Sequence, residues 1–302
     1  MGTTRRPIAG GRFLAATTAS PAVVEEHDGL RWLVVEHGWS PEFADLVKSG
    51  RVDGIELNAS KGEWGEDLGF LREVPALKNL ILINLAERDV EPIGALTHLV
   101  NLRLSAYAVS PLDFSGLRSL RSCFVEWRKQ YLGISACTSL EELYVNRYPA
   151  RDLGMAATLI ALQKLRIGDS RVLASLDGIS SLRRLQFLGL YALPQLASLE
   201  PLEEVASTLE TLEVRACRRF GSLAGLERLT RLRRLVLEDC GKVDSIVPIG
   251  RLDTLTQFYF YGDTNVVDGN LDILRRLKLR EVSFMNRRHY SLRREELQSF
   301  RR

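Results

Sequence analysis

The sequence predicts an α/β solenoid, a stack of short parallel strands closed on the other side by tight turns. Three observations carry that expectation. Leucine supplies 51 of the 302 residues, although hydrophobic residues as a whole reach only 45%, an ordinary share for a folded chain. The pattern L-x-x-L-x-x-L-x-x-L-x-L stands out at Ile93, Leu96, Leu99, Leu102 and Leu104, again from Ile179 to Leu190, and again from Leu226 to Leu237. Taking the first residue of each closing L-x-L as a marker gives Leu33, Ile55, Leu80, Leu102, Cys123, Leu143, Leu165, Leu188, Leu212, Leu235, Phe258 and Val282, at intervals of 22, 25, 22, 21, 20, 22, 23, 24, 23, 23 and 24. Near-equal spacing of that length is the signature of a repeat array.

Each part of the unit has a physical reading. The closing L-x-L has period two, so it is a short strand with alternate side chains buried. The preceding L-x-x-L-x-x-L has period three, which suits a 3-10 or irregular helical turn. One unit cannot bury its apolar face alone, whereas stacked units share a core and line up about 11–12 strands in a parallel, concave sheet. The interval is too short for a long helix, so short 3-10 or α turns belong on the convex side, with Pro92, Pro111, Pro201 and Pro248 placed to open them. The shortest repeat, from Cys123 to Leu143, is where distortion is expected.

The ends need caps. Leu30–Val35 reads as a first strand. A helix should follow over residues 41–48, with Ser40 as N-cap and Pro41 in its first turn, ending near Gly50. Trp32, Trp39 and Phe43 are placed to close the core there. At the far end Ser291 is placed to cap a helix reaching Arg301, with Leu292, Leu297 and Phe300 turned inward. The expected organisation is a tail over 1–29, an N-terminal cap over 30–52, the array over 53–285 and a helical cap over 286–302.

These repeats resemble those of leucine-rich repeat proteins, and their length resembles the type found in internalins and phosphatase regulators. The resemblance covers roughly residues 30–290 and implies a right-handed horseshoe. It also implies a scaffold that serves many different partners, so it says little about function. The family usually places Asn, or Cys in one subclass, five residues after the marker, where the side chain bonds backbone groups in the turn. Cys217 and Cys240 hold that place here, but elsewhere it is taken by Ser60, Leu85, Tyr107, Arg128, Tyr148, Ser170, Leu193, Asp263 and Arg287, so no asparagine ladder is expected.

Composition removes several function classes. No apolar run reaches 18 residues, so no membrane span is expected. Net charge is +3, divided as +3 over residues 1–12, +6 over 271–302 and −6 between. A basic end on an acidic body is a weak signal for nucleic acid. Only 7 of the 41 basic residues are Lys, a bias that suits a GC-rich bacterial genome. The twin arginine Arg5-Arg6 lacks a following apolar segment, which argues against a secretory leader. The expectation is a reduced, cytoplasmic monomer. Cys217 and Cys240 occupy one place in adjacent repeats, near enough for a disulfide, but buried thiols are the favoured alternative. No nucleotide loop, nucleophile elbow or zinc-protease motif is present. The four histidines show no metal-ligand spacing, and His98 lies among outer-turn leucines. No enzyme, cofactor or metal is therefore expected.

What remains is the open face of the sheet. Its variable positions include Arg103, Phe124, Tyr144, Arg166, Phe187, Tyr191, Arg215, Tyr259 and Tyr261, with Trp127 and Arg147 one step beyond their strands. Aromatic residues and arginine are the types enriched at interface hot spots. The same aromatics also suit strands for packing reasons alone. A protein or peptide partner on the concave face is the primary expectation, with the chain acting as a regulator, inhibitor or immunity factor. The alternative is nucleic-acid or anionic-surface binding through the basic C-terminal cap.

Overall fold

The structure is a computed structural model and describes residues 22–299 other than 63, 64 and 66. Its elements in chain order are β1 (Val23–His27), β2 (Leu30–Val34), α1 (Pro41–Lys48), β3 (Gly54–Asn58), β4 (Asn79–Arg88), β5 (Asn101–Ala108), β6 (Leu112–Asp113), β7 (Ser122–Glu126), β8 (Tyr131–Leu132) and β9 (Glu142–Asn146). They continue with β10 (Lys164–Gly168), β11 (Phe187–Tyr191), β12 (Thr211–Arg215), β13 (Arg234–Glu238), β14 (Lys242–Val243), β15 (Gln257–Tyr261), β16 (Asn265–Val266), β17 (Glu281–Phe284) and α2 (Arg294–Ser299). Short 3-10 turns alternate with them, such as Glu91–Ala95, Ile179–Ser181 and Leu226–Arg228.

One 13-stranded sheet runs β1-β2-β3-β4-β5-β7-β9-β10-β11-β12-β13-β15-β17. From β2 onward every pairing is parallel, and every marker faces the next marker, from Leu33 opposite Ile55 to Phe258 opposite Val282. The register is thus set by burial. A one-residue slip would turn each inward leucine to solvent. The core is a continuous column of these residues, with Leu33, Ile55, Leu165, Leu188, Leu212, Leu235 and Phe258 all fully inaccessible.

The ends differ in part from expectation. Residues 23–27, inside the stretch read as a tail, form β1, which pairs antiparallel with β2; residues 1–21 lie outside the described residues. Ser40 has the extended backbone of an N-cap but makes no side-chain cap bond, and Pro41 opens α1 as expected. Pro92, Pro201 and Pro248 open 3-10 turns, whereas Pro111 precedes β6. Leu292 and Leu297 are buried at the C-terminal end, while Phe300 lies outside the described residues. The irregularity is not in the shortest repeat, where β7 and β9 pair in clean register. It lies between β4 and β5, which run on for 10 and 8 residues and shift register between Asn84 and Glu87.

The two halves of the array end their strands differently. In the repeats marked by Leu80, Leu102 and Cys123 the strand alternation continues, so the fourth residue after the marker points inward: Asn84, Ala106 and Trp127 are buried. In the later repeats that fourth residue adopts a left-handed backbone, with φ of 58° at Arg147, 48° at Asp169, 51° at Ala192, 52° at Ala216 and 52° at Asp239. Its N–H still joins the ladder, as in Arg147 N–H to Gly168 O at 2.8 Å and Ala216 N–H to Glu238 O at 2.8 Å. The backbone has turned, however, and the fifth residue now points inward. Tyr148, Ser170, Leu193, Cys217 and Cys240 are buried, whereas their early counterparts Leu85 and Tyr107 are 79% and 44% exposed.

The buried fifth residues replace an asparagine ladder with other donors. Ser170 Oγ donates to Tyr148 O at 2.7 Å and accepts from Leu173 N–H at 3.1 Å. Cys217 Sγ lies 3.3 Å from Arg215 O, and Cys240 Sγ lies 3.3 Å from Val214 O and Glu238 O. All four cysteines are free and buried.

Candidate interaction face

Parallel register carries the variable residues into columns on the outer side of the sheet. One column runs Glu56, Ile81, Arg103, Phe124, Tyr144, Arg166, Gly189, Glu213, Val236, Tyr259 and Ser283. Arg103 lies over the Phe124 ring at 5.1 Å, and Phe124 meets Tyr144 edge-on at 4.4 Å between centroids. Arg166 stacks over Phe187 at 4.5 Å. Arg103 and Arg166 are exposed, and Phe124, Tyr144 and Phe187 are half-buried.

Two glycines let rings lie close to this sheet. A Cβ on Gly189 would fall 2.5 Å from the Tyr191 hydroxyl, so Tyr191 folds back over the bare backbone of its own strand. A Cβ on Gly168 would collide with the Asn146 side chain and come within 3.5 Å of the Tyr144 hydroxyl.

Farther along, carboxylates join the band. Tyr191 donates to Glu213 at 3.0 Å, and Tyr261 donates to Glu238 at 3.1 Å. Arg215 pairs with Glu238 at 2.7 Å and with Glu213 at 3.3 Å. Arg234 lies 3.5 Å from Glu213 and stacks over Tyr259 at 4.8 Å, while Tyr259 donates to Glu281. Burial and the neighbouring Glu213 push the Tyr191 phenol up to about 12. Burial opposes the Arg215 charge, but Glu213 and Glu238 outweigh it and hold the guanidinium more firmly protonated than usual.

Of the eleven residues singled out from sequence, nine share this face. Trp127 does not. It is only 7% exposed and packs in the core beside Phe114 and Tyr131, at 6.2 and 6.0 Å between ring centroids. Arg147 stands at the rim in its left-handed conformation, paired with Glu126 at 3.3 Å and Asp169 at 3.7 Å. The residues missed from sequence are the acidic partners Glu213, Glu238 and Glu281 and the two glycines. Their signal was present in the columns, as acids and gaps beside arginines and tyrosines.

Compared with solved structures, the chain is similar to the internalin InlF of Listeria monocytogenes, at 16% identity and a TM-score of 0.58, over 81% of this chain and 71% of that one. It is also similar to the functional domain of InlJ from the same organism, described as including a cysteine ladder, at 17% identity and a TM-score of 0.51, over 80% of this chain and 60% of that one. The fold is the leucine-rich repeat solenoid. No family model and no curated protein matches the sequence.

Elsewhere on the solenoid, the reactive groups are quenched or already engaged. Burial raises all four thiols, Cys137 and Cys217 to about 11 and Cys240 to about 12, so thiolate is scarce near neutrality. Glu25, His27 and Glu56 gather ligand atoms within 4.8 Å of one another. The Lys61 ammonium already stands 2.6 Å from Glu25 and 2.9 Å from Glu56, supplying the positive charge a metal ion would bring. Burial disfavours the Glu56 carboxylate, yet bonds from Lys61, Asn58 and His27 win and hold it below its ordinary value. In the C-terminal cap, Arg287 is engaged with Thr264 O at 3.2 Å, which takes one cation from the basic surface. Among the described residues no helix is long and apolar enough to cross a membrane.

Proposed function

We propose that the chain is a non-catalytic binding module that holds a protein or peptide partner against the open face of its sheet. The observation behind this reading is the band of stacked arginines and aromatic rings from Arg103 on β5 to Tyr261 on β15. Such residues supply large contact area and charge-assisted hydrogen bonds. Their strands hold them in place beforehand, which lowers the ordering cost of association. The recess on this face, beside Phe124, Tyr144 and Arg166, is only about 140 Å³, smaller than the roughly 300 Å³ at which small-molecule pockets begin. A broad partner suits it better. Regulation, inhibition or immunity would follow if the partner's active surface is what the face covers. The proposal takes the chain to be a cytoplasmic monomer, which light scattering of the purified chain would contradict by reporting a dimer mass.

The test is affinity capture from the native host with three immobilised forms: the unaltered chain, Tyr144→Ala with Arg166→Glu, and Arg184→Glu on the outer turns. The face variant should lose the captured protein and the outer variant should retain it, with both variants giving the unaltered circular dichroism spectrum. Equal capture by the face variant would remove the assignment.

A further inference from the structure

We infer that the partner segment is acidic and sets two carboxylates on Arg103 and Arg166, whose backbone positions lie about 14 Å apart. This rests on the protein-binding reading above and gives it a chemistry. The face has two electrostatic zones. From the end of β11 to β17, Arg215 and Arg234 are held by Glu213 and Glu238, and the phenols of Tyr191, Tyr259 and Tyr261 are held by Glu213, Glu281 and Glu238. A partner using those groups would first have to break their existing bonds.

Between β5 and β11 the arrangement differs. Lys164 pairs with Glu142 at 2.6 Å, and Glu126 is shared by Arg128 and Arg147. Among the described residues, Arg103 and Arg166 meet no carboxylate, and both are exposed. Each guanidinium lies over a ring, Arg103 over Phe124 and Arg166 over Phe187. The N–H groups of Arg103 are open to a bidentate carboxylate. Those of Arg166 also reach the Tyr191 hydroxyl, a neutral partner that a carboxylate, as the stronger acceptor, would displace.

The spacing follows from the register. Arg103, Phe124, Tyr144 and Arg166 stand on four successive strands. Three strand steps of about 4.8 Å make about 14 Å. Arg103 leans straight across onto the facing Phe124, whereas Arg166 leans onto Phe187, two residues back from the facing Gly189. The spacing is therefore that of their backbone positions, and the partner's acidic side chains take up the offset of the tips. An extended peptide rises about 3.3 Å per residue, which places its acids at positions i and i+4. Residue i+2 shares their face and lands on the edge-on pair of Phe124 and Tyr144. The expected sequence is therefore acid-x-apolar-x-acid. Discrete carboxylates suit this zone better than a nucleic-acid backbone, because Glu126, Glu142 and Glu213 flank it and residues 13–270 sum to −6.

The experiment is selection of a random 12-residue peptide display library on the full-length chain. Recovered peptides, made synthetically, are then measured by fluorescence anisotropy beside a single-stranded oligonucleotide. Recovered peptides should carry acids four residues apart around an apolar residue. Arg103→Glu or Arg166→Glu should weaken them at least tenfold, and Arg184→Glu less than twofold. Peptides lost with Tyr144→Ala but lacking paired acids, or indifferent to both arginines, would overturn the acidic partner and leave the protein-binding reading standing. Tighter binding of the oligonucleotide to Arg103 and Arg166 would overturn the acidic peptide in favour of nucleic acid. Recovery of no peptide that depends on the face would count against both readings.

Discussion

Ala106 and Ala216 hold the same place in two repeats, four residues past Leu102 and Leu212, yet their side chains face opposite ways. Ala106 continues the alternation of β5 and is buried. Ala216 has φ of 52° and is exposed. The same contrast separates Trp127, in the core, from Arg147, at the rim one repeat later. A single left-handed residue inverts which later side chains enter the core. What a repeat position means therefore depends on the backbone at the turn as well as on the count from the marker.

The largest test of that contrast is truncation at the fourth position. Trp127→Ala should cost about 3–5 kcal/mol, whereas Arg147→Ala should stay within about 0.5 kcal/mol. Urea midpoints would show both, and similar losses would break the distinction. The fifth position should behave in the opposite sense along the chain. Leu193→Ala should cost about 2–5 kcal/mol, while Leu85→Ala, in the early half, should change stability by less than about 0.5 kcal/mol.

A finer test uses one substitution at one repeat position. Ala106→Gly loosens a buried strand and should cost about 0.5–1 kcal/mol. Ala216→Gly relieves a left-handed Ala, a strain of about 1–2 kcal/mol, against about 0.4–1 kcal/mol of added unfolded-state freedom. It should be neutral or stabilising by up to about 1.6 kcal/mol. Equal signs at the two sites would refute the turn assignment.

The smallest effect concerns charge in the early half. The Glu56 carboxylate sits below its ordinary value of 4.5 in the folded chain. The folded state therefore binds that proton less readily than the unfolded state, and the resulting stabilisation is complete above 4.5. It is lost as pH falls through the folded value. Glu56→Gln should flatten the acid limb of a stability–pH curve. An unchanged slope below that value would exclude Glu56 as its source.

Periodicity made the strand register legible, because inward leucines, or Cys123 and Phe258 in their stead, are required wherever the sheet faces the core. The face residues from Arg103 to Tyr261 were legible for the same reason, being the odd members of each strand. Trp127 was not. Its inward turn depends on an extended backbone, while the turns that differ are made by Asp169 and Asp239, a residue type that favours a left-handed backbone, and equally by Arg147, Ala192 and Ala216, which give no such signal. β1 was hidden because VVEEH resembles an ordinary polar tail until Leu30–Val34 gives it a partner. The neutralised arginines depended on side chains of the same or the adjacent strand, which column order suggests but does not pair.

From β2 to β17, each strand of the main sheet bonds to its parallel neighbours about one repeat away in sequence. The molecule is therefore a row of nearest-neighbour couplings, in which opening can start at either end and stop at any repeat. Amide exchange should be slowest around β9–β12 and quicken outward in both directions. Ligand held across β5–β11 would then act as a clasp on the slow middle, lengthening the lifetime of those repeats while the ends continue to fray.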